Sequence, residues 1–349
     1  MRAGVPSPDE LRGGRFWCEV AMIAPGGRER LVPVAGGSFL WEADQWPAFT
    51  VSGVKVPAIV DGVDLVTAGL VGSDGHRVRV TCHAVSGSDV WEWEIGTFLV
   101  TKFARAGAEV TLDAVDLTQL IIDHQNAKPK AVYRANFVRE MTERLLGEDG
   151  IPLVVDDGLG SPVVPKHFAF GVDRSESLKE LLTAWGVFLS PGVGGSLHAH
   201  RVPATRIAHP AVTLSDGAGG TIIDAPLELS RNEIFNHVVV VMADEVRVVE
   251  AVQRRGRFAV ALYGWRSKRI ESDSLTRLAD AQIMAERELA KGILRSVTVP
   301  VEMVPDWRLE PYTAVSVDSR DVTGWGRVTG FDFPLTHDES AVLHVGMEV

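Results

Sequence analysis

From Val297 to Met303 the chain alternates strictly: Val297, Val299, Val301 and Met303 are apolar, and Thr298, Pro300 and Glu302 stand between them. Successive side chains of a strand point to opposite faces, so this run predicts a strand with one buried face. Such a strand needs neighbours to pair with and a layer to bury against. Pro300 lacks an N–H donor, which predicts an edge or a bulge there. Similar short runs, separated by Gly, Pro and Asp turns, fill both ends of the chain. In the N-terminal part they cover 16–23, 30–34, 38–42, 77–82, 90–95, 97–103 and 109–114, and in the C-terminal part 221–230, 237–242, 245–250, 257–263, 313–317, 326–333 and 341–349. The fold class is therefore mainly β.

Helical spacing appears in a few places only. Leu278, Ala281, Ala285 and Leu289 recur on one face of residues 275–291, opposite Arg277, Asp280, Glu286, Arg287 and Lys291. This predicts an amphipathic helix with Ser272, Asp273 or Ser274 as cap and Gly292 as its end, laid across strands to cover them. In the middle of the chain, residues 135–146 predict a helix ending at Gly147, before a strand at 151–155. A second unit repeats the order. Asp173 to Glu176 has capping-box spacing, Leu178, Leu181, Leu182 and Trp185 form an apolar face, and Gly186 precedes a hairpin at 187–190 and 197–202. The organisation predicted is two barrel-like β halves, 1–126 and 211–349, flanking a small α/β domain at 127–210.

Composition sets limits on function. Among 349 residues, 46% hydrophobic and 23% charged content is that of a globular chain, and a net charge of −11 argues against a surface that coats nucleic acid. No apolar run approaches the ~18 residues of a membrane span, and the N-terminus lacks a signal-peptide core, so a soluble protein made in a cytosol is expected. Cys18 and Cys82 have no partner at metal-ligand spacing and read as buried thiols. The sequence carries no nucleophile elbow, zinc motif, Walker loop or dinucleotide fingerprint. Asp216 to Gly220 is a glycine-rich turn without the helix that a phosphate loop needs. Glu92 and Glu94 share a strand face, which is a solvated face or a glycosidase pair, and the first reading is preferred. Asp61, Asp64 and Asp74 lack calcium-loop spacing.

His198 and His200 are the strongest chemical signal, because an H-x-H strand points both imidazoles to one side and begins a metal site. No third ligand is identifiable, so they are read as polar strand positions. No catalytic, cofactor or metal residue is assigned. Trp41, Trp46 and Phe49 in the aromatic loop at 41–49 either plug the end of a barrel or form a partner-facing patch, and Trp307 joins them as a candidate interface residue.

Several of these stretches together resemble the tail-hub family of phages and contractile injection systems, in particular the minor tail proteins of actinobacterial phages. They are the strand with Ala24-Pro-Gly-Gly27, the run from Leu31 to Gly37, Trp93 to Val100, Glu109 to Leu117, the helix and glycine-rich hairpin from Ser177 onward, and the alanine-rich helix before the closing strands. The chain departs from the family pattern at Glu310-Pro-Tyr-Thr313, where Gly-Asp usually follows the proline. The resemblance implies two tail-tube-like barrels and no enzyme activity. It implies a homotrimeric ring at the virion tail tip, adapting a sixfold tail tube or distal tail protein to a threefold spike or central fibre. A tape measure protein would be a further partner, and DNA would pass through an acidic lumen. Alternatives are a hexameric distal tail protein, a cell-wall or polysaccharide hydrolase, and a carbohydrate-binding module stacking sugars on Trp41, Trp46, Trp91 or Trp93.

Overall fold

The computed structural model describes residues 4–347 except 12, 44, 133–136, 165–167, 204–206, 208, 227–233, 243–245, 273–274, 276, 296 and 338. Its N-terminal part is strand after strand: β1 (Arg15–Ile23), β2 (Glu29–Pro33), β3 (Gly36–Glu42), β4 (Phe49–Pro57), the short hairpin β5 (Ile59–Val60) and β6 (Val63–Asp64), then β7 (Arg77–Ser86), β8 (Asp89–Ala106) and β9 (Glu109–Asp116), ending in the single turn of α1 (Gln119–Asp123). The alternation predicted here is the alternation buried. In β7, for example, Val78, Val80, Cys82 and Ala84 are buried and their neighbours half-exposed. The two runs at 90–95 and 97–103 are one strand, not two. Gly96, at φ 149°, absorbs a register shift in the β7–β8 pairing, so the strand bends and continues.

The middle of the chain supplies β10 (Lys130–Ala131), α2 (Val138–Gly147), β11 (Leu153–Val155), β12 (Ala169–Phe170), α3 (Arg174–Trp185), β13 (Val187–Pro191) and β14 (Leu197–Arg201). Asp173 caps α3 as the spacing predicts, accepting the N–H groups of Ser175 at 2.8 Å and Glu176 at 3.1 Å, and Gly186 ends the helix in the left-handed region at φ 75°. The expected hairpin is β13 and β14, and β11 joins it in parallel on the other side of β14. Arg174 is fully buried at the start of α3. Its guanidinium donates to Leu145 O at 2.9 Å, pairs with Asp149 at 2.6 Å and Glu148 at 3.4 Å, and so ties α3 to the C-terminal end of α2, where a cation is favoured.

The last part contains β15 (Val212–Ser215), β16 (Ile222–Asp224), β17 (His237–Val241), β18 (Val248–Val252), α4 (Val260–Tyr263), β19 (Ser267–Glu271), α5 (Leu278–Arg295), β20 (Thr298–Met303), β21 (Ala314–Asp318), β22 (Thr323–Pro334) and β23 (Ala341–Met347). Three expectations change. Residues 257–263 carry a turn and the short α4, closed by Gly264 at φ 84°. The predicted strand at 221–230 is described only as β16, since 227–230 lie outside the described residues, as do Glu245 and the cap candidates Asp273 and Ser274. Finally, Gly292 lies inside α5 and does not end it. The helix passes close to Phe235 there, and a Cβ at Gly292 would meet Phe235 O at 3.1 Å.

Of the predicted apolar face of α5, Ala281, Ala285 and Leu289 are buried, together with Met284, against Val238, Val240, Val249 and Ala251, whereas Leu278 at the helix start is 53% exposed. The helix therefore packs mainly on a separate three-stranded sheet, ordered β18-β17-β19, and less on the strands that follow it, where Ile293 reaches the large-sheet core. On its flank Glu288 is buried between Lys268 at 2.8 Å and Lys291 at 3.0 Å. Burial alone would raise this carboxyl, but the two ammonium groups outweigh it and hold it below the ordinary glutamate value.

The remaining long strands form one open 13-stranded sheet, ordered β16-β20-β23-β22-β3-β4-β9-β8-β7-β1-β2, with β21 and β15 branching from β22. The first half of β22 pairs with β21, and its second half pairs with β3 from Gly330↔Glu42 to Pro334↔Ser38. Residues 1–126 and 211–349, expected as two separate barrels, thus share a sheet, and among the described residues no barrel closes. Bulges at β22, β3 and β4 let the sheet bend where the two parts meet.

Two stability predictions follow from these buried charges. Arg174→Ala removes a fully buried guanidinium and leaves Asp149 with His124, at 2.6 Å, as its remaining partner, and should lower unfolding free energy by roughly 3–5 kcal/mol, read by urea denaturation. For Glu288 the folded carboxyl is depressed, so its contribution is complete above the unfolded value of about 4.3 and is lost as pH falls through the folded value. Glu288→Gln should therefore destabilise by roughly 1.5–3 kcal/mol at neutral pH, and the gap to the parent chain should narrow in melts run below about pH 4. A gap independent of pH would contradict the ion-pair account.

Candidate functional site

The loop aromatics sort by the strand period. Trp41 on β3 and Phe49 on β4 point inward and, with Trp307 from the turn after β20, are each 2% exposed. They belong to one stack. Phe39 lies 5.4 Å from Phe331 and 6.4 Å from Trp307, Trp307 lies 5.1 Å from Phe333, and Trp41 lies 5.3 Å from Tyr312. Three of the four aromatics named as candidate interface residues are thus buried in the single chain, placed there because β3 and β22 are sheet neighbours. Trp46 is half-buried against the α2–α3 core, with Lys179 6.0 Å over its ring. Trp93 is buried and Trp91 half-exposed. The tryptophans that reach the surface are others: Trp265 at 62% exposure, Trp325 and Trp17. Trp265 packs edge-on against His237 at 4.9 Å, and Leu262, three positions before it, is also exposed.

The carboxylates noted in the sequence are accounted for locally. Glu94 accepts the Gly194 N–H at 3.0 Å, and Glu92 lies 3.6 Å from His83, so the pair faces different partners and flanks no cleft between them. Asp61 pairs with Arg30, Asp64 with Arg105 at 2.7 Å and Asp74 with His76 at 2.9 Å.

His198 and His200 do share one face of β14, as the two-residue period requires, with ring centres 4.2 Å apart. The third side chain is Asp156. It follows β11 directly, and its N–H donates to Ala199 O at 3.2 Å, which fixes it beside the two histidines. One carboxylate oxygen is 2.8 Å from His198 Nε2 and the other 2.9 Å from His200 Nδ1. The other nitrogen of His200, Nε2, is 2.9 Å from Ser190 Oγ on β13. Burial, aided by the neighbouring His198, pulls the His200 imidazole below its ordinary value, against the opposing pull of Asp156. No local pattern announces Asp156, which stands 42 positions before His198; only the parallel pairing of β11 with β14 brings it in.

The cluster sits on a seam. His200, Asp156 and Ser190 line a cavity of about 230 Å³ together with Phe39 and Phe49 from the large sheet and Glu310. A chain of ring contacts connects them to the core: His200 to Phe188 at 5.2 Å, Phe188 to Tyr312 at 5.1 Å, and Tyr312 to Trp41. Tyr312 is held at φ 60°, a left-handed conformation that glycine adopts without strain. It follows Pro311, at the departure noted in the sequence. Here the ring's packing between Trp41 and Phe188, and hydrogen bonds of its backbone with Val328 and Arg327, hold the residue in place.

No protein-family model matches the chain, and no curated protein matches it in sequence. Solved structures do match. The tail protein from Neisseria meningitidis MC58 has a TM-score of 0.65 at 15% identity, over 96% of this chain and 97% of that one. The 43 kDa tail protein of prophage MuSo2 from Shewanella oneidensis has a TM-score of 0.59 at 15% identity, over 95% and 100%. The E. coli c3393 protein, a type VI secretion component described as similar to the phage T4 tail proteins gp27 and gp5, has a TM-score of 0.51 at 10% identity, over 91% and 74%. The chain therefore has the fold of these phage tail proteins and of a type VI secretion component.

Placing Trp41 in the core has a measurable consequence. Trp41→Ala should cost about 3–5 kcal/mol of stability in denaturant titration. A sugar-stacking or partner-facing Trp41 would instead leave stability within about 0.5 kcal/mol of the parent.

Proposed function

We propose that the chain is a structural protein of a phage tail tip or related baseplate, a non-enzymatic hub located in the virion. The observation that carries this reading is end-to-end agreement of the fold with the Neisseria tail protein, over nearly the whole of both chains. Similarity of that extent accounts for the α/β insertion and the α5-covered sheet as well as the strands. The type VI secretion component extends the comparison to a protein likened to the T4 tail proteins gp27 and gp5.

The finer assignment is a homotrimer that adapts a sixfold tail tube or distal tail ring to a threefold spike or central fibre. Edge strands support it. The large sheet ends in β2 on one side and β16 on the other, and among the described residues neither has an outer partner. An unpaired edge presents a row of N–H and C=O groups that a neighbouring copy can complete. Leu262 and Trp265, exposed and three positions apart, offer a second surface suited to a protein partner, in place of the buried Trp41, Phe49 and Trp307. The net charge of −11 suits a lumen along which DNA slides without sticking, with a tape measure protein as a further occupant.

Light scattering on the purified chain, with negative-stain images of the same sample, tests the assembly. A ring of three times the 37.8 kDa chain mass is expected, alone or on addition of a tail-tube or spike partner. A hexamer would instead identify a distal tail protein. A chain that stays monomeric with both partners present would overturn the hub assignment.

A further inference from the structure

We propose that Asp156, His198 and His200 form a binding site for a divalent transition-metal ion of the zinc class. Among the described residues, these three side chains bring ligand atoms within 4.8 Å of one another. Two imidazole nitrogens and one carboxylate are a donor set that suits zinc and its neighbours in the first transition row, and disfavours magnesium and calcium, which prefer oxygen alone.

The arrangement is built from the backbone up. The two histidines are placed by the period of β14, whose pairing with β13 runs from Val187↔Arg201 to Pro191↔Leu197. Asp156 is placed by the parallel ladder of β11 with β14 and by its own N–H bond to Ala199. All three therefore stand on hydrogen-bonded strands or immediately beside one, which holds ligands more closely than a free loop does. Both oxygens of Asp156 are turned towards an imidazole nitrogen, at 2.8 and 2.9 Å. Replacing the protons of those two hydrogen bonds with one cation needs only a small widening of the cluster, since zinc ligands lie about 2.0–2.2 Å from the metal.

Ser190 supplies the outer support. A histidine that binds metal through one nitrogen commonly donates from the other, which fixes its tautomer and ring plane. His200 has that partner, with Nε2 2.9 Å from Ser190 Oγ, leaving Nδ1 towards Asp156. The same Ser190–His200–Asp156 distances also suit the opposite tautomer, in which His200 takes a proton from Ser190 as in a hydrolase triad. Two observations favour the metal. That triad leaves His198 without a role although it engages the same carboxylate, whereas a metal site uses all three side chains. The cluster also stays partly open, with side-chain exposures of 25–38%, so a water or a partner's side chain can complete the coordination.

The ion would fasten the end of β11 to β14 at the seam with the large sheet. The test uses the full-length protein freed of metal with chelator and titrated with zinc by calorimetry, then with cobalt, whose visible absorption reports coordination geometry. One zinc per chain is expected, with cobalt bands typical of four- or five-coordinate nitrogen and oxygen ligation. His198→Ala and Asp156→Asn should each weaken binding at least 100-fold, and Ser190→Ala about 10–100-fold, with circular dichroism confirming that each variant is folded. Because His198 and Asp156 are half-exposed, both changes are compatible with folding. The proposal is overturned if zinc at millimolar concentration produces no binding heat. It is equally overturned if folded His198→Ala binds as the parent does, or if Ser190 is labelled covalently by a fluorophosphonate probe, which would assign the cluster to acyl transfer.

Discussion

The pairing of β22 with β3 is the interaction on which the rest of the architecture depends. It brings a C-terminal strand beside an N-terminal one, and the inward side chains of both are large aromatics. Phe39 and Trp41 on β3 meet Phe331 and Phe333 on β22, and Trp307 and Tyr312 close over them. Side chains of this size dominate the apolar area removed from water, and their ring contacts add to it. A slip of one residue would turn all of them to the other face of the sheet, so the stack specifies the register as well as the contact.

That constraint explains where the small α/β unit can sit. β13 ends at Pro191, which approaches Gly96 on β8 so closely that any side chain at that position would collide with it. Glu94 on the same strand receives the N–H of Gly194. Phe188 then reaches Tyr312 and the aromatic stack, so the unit is seated through backbone proximity, a hydrogen bond and a ring contact at three separate points. The histidine cluster is a consequence of this seating. Its strands belong to the α/β unit, while its cavity is completed by Phe39, Phe49 and Glu310.

Local structure was legible in the sequence to the extent that it depended on local periodicity. Alternation identified most strands, and the Asp173 cap, Gly186 and the apolar face of α5 were readable because each is set within a few residues. The departures have non-local causes. Gly96 looked like a turn between two strands, but pairing with β7 on both sides of it carries β8 on through a bend. Gly292 looked like a helix end, but the close approach of Phe235 explains a glycine in mid-helix. Trp41, Phe49 and Trp307 were ambiguous between plug and interface, since an aromatic residue has the same sequence signature in either place. Asp156 was invisible for the same reason, being brought to its histidines by a parallel ladder.

Tyr312 shows how a strained left-handed residue is absorbed. A left-handed residue other than glycine costs roughly 1–3 kcal/mol of backbone strain, and persists only where the surroundings over-determine it. Here they do, through the Trp41 and Phe188 contacts and the bonds to Val328 and Arg327. The side chain that makes the backbone strained is the one that bridges the aromatic stack to Phe188 and so to His200. A glycine would relax the turn but leave a gap between the two. In this chain, strain at one turn is coupled to the packing that joins the large sheet to the α/β unit, and the turn's sequence follows from that junction.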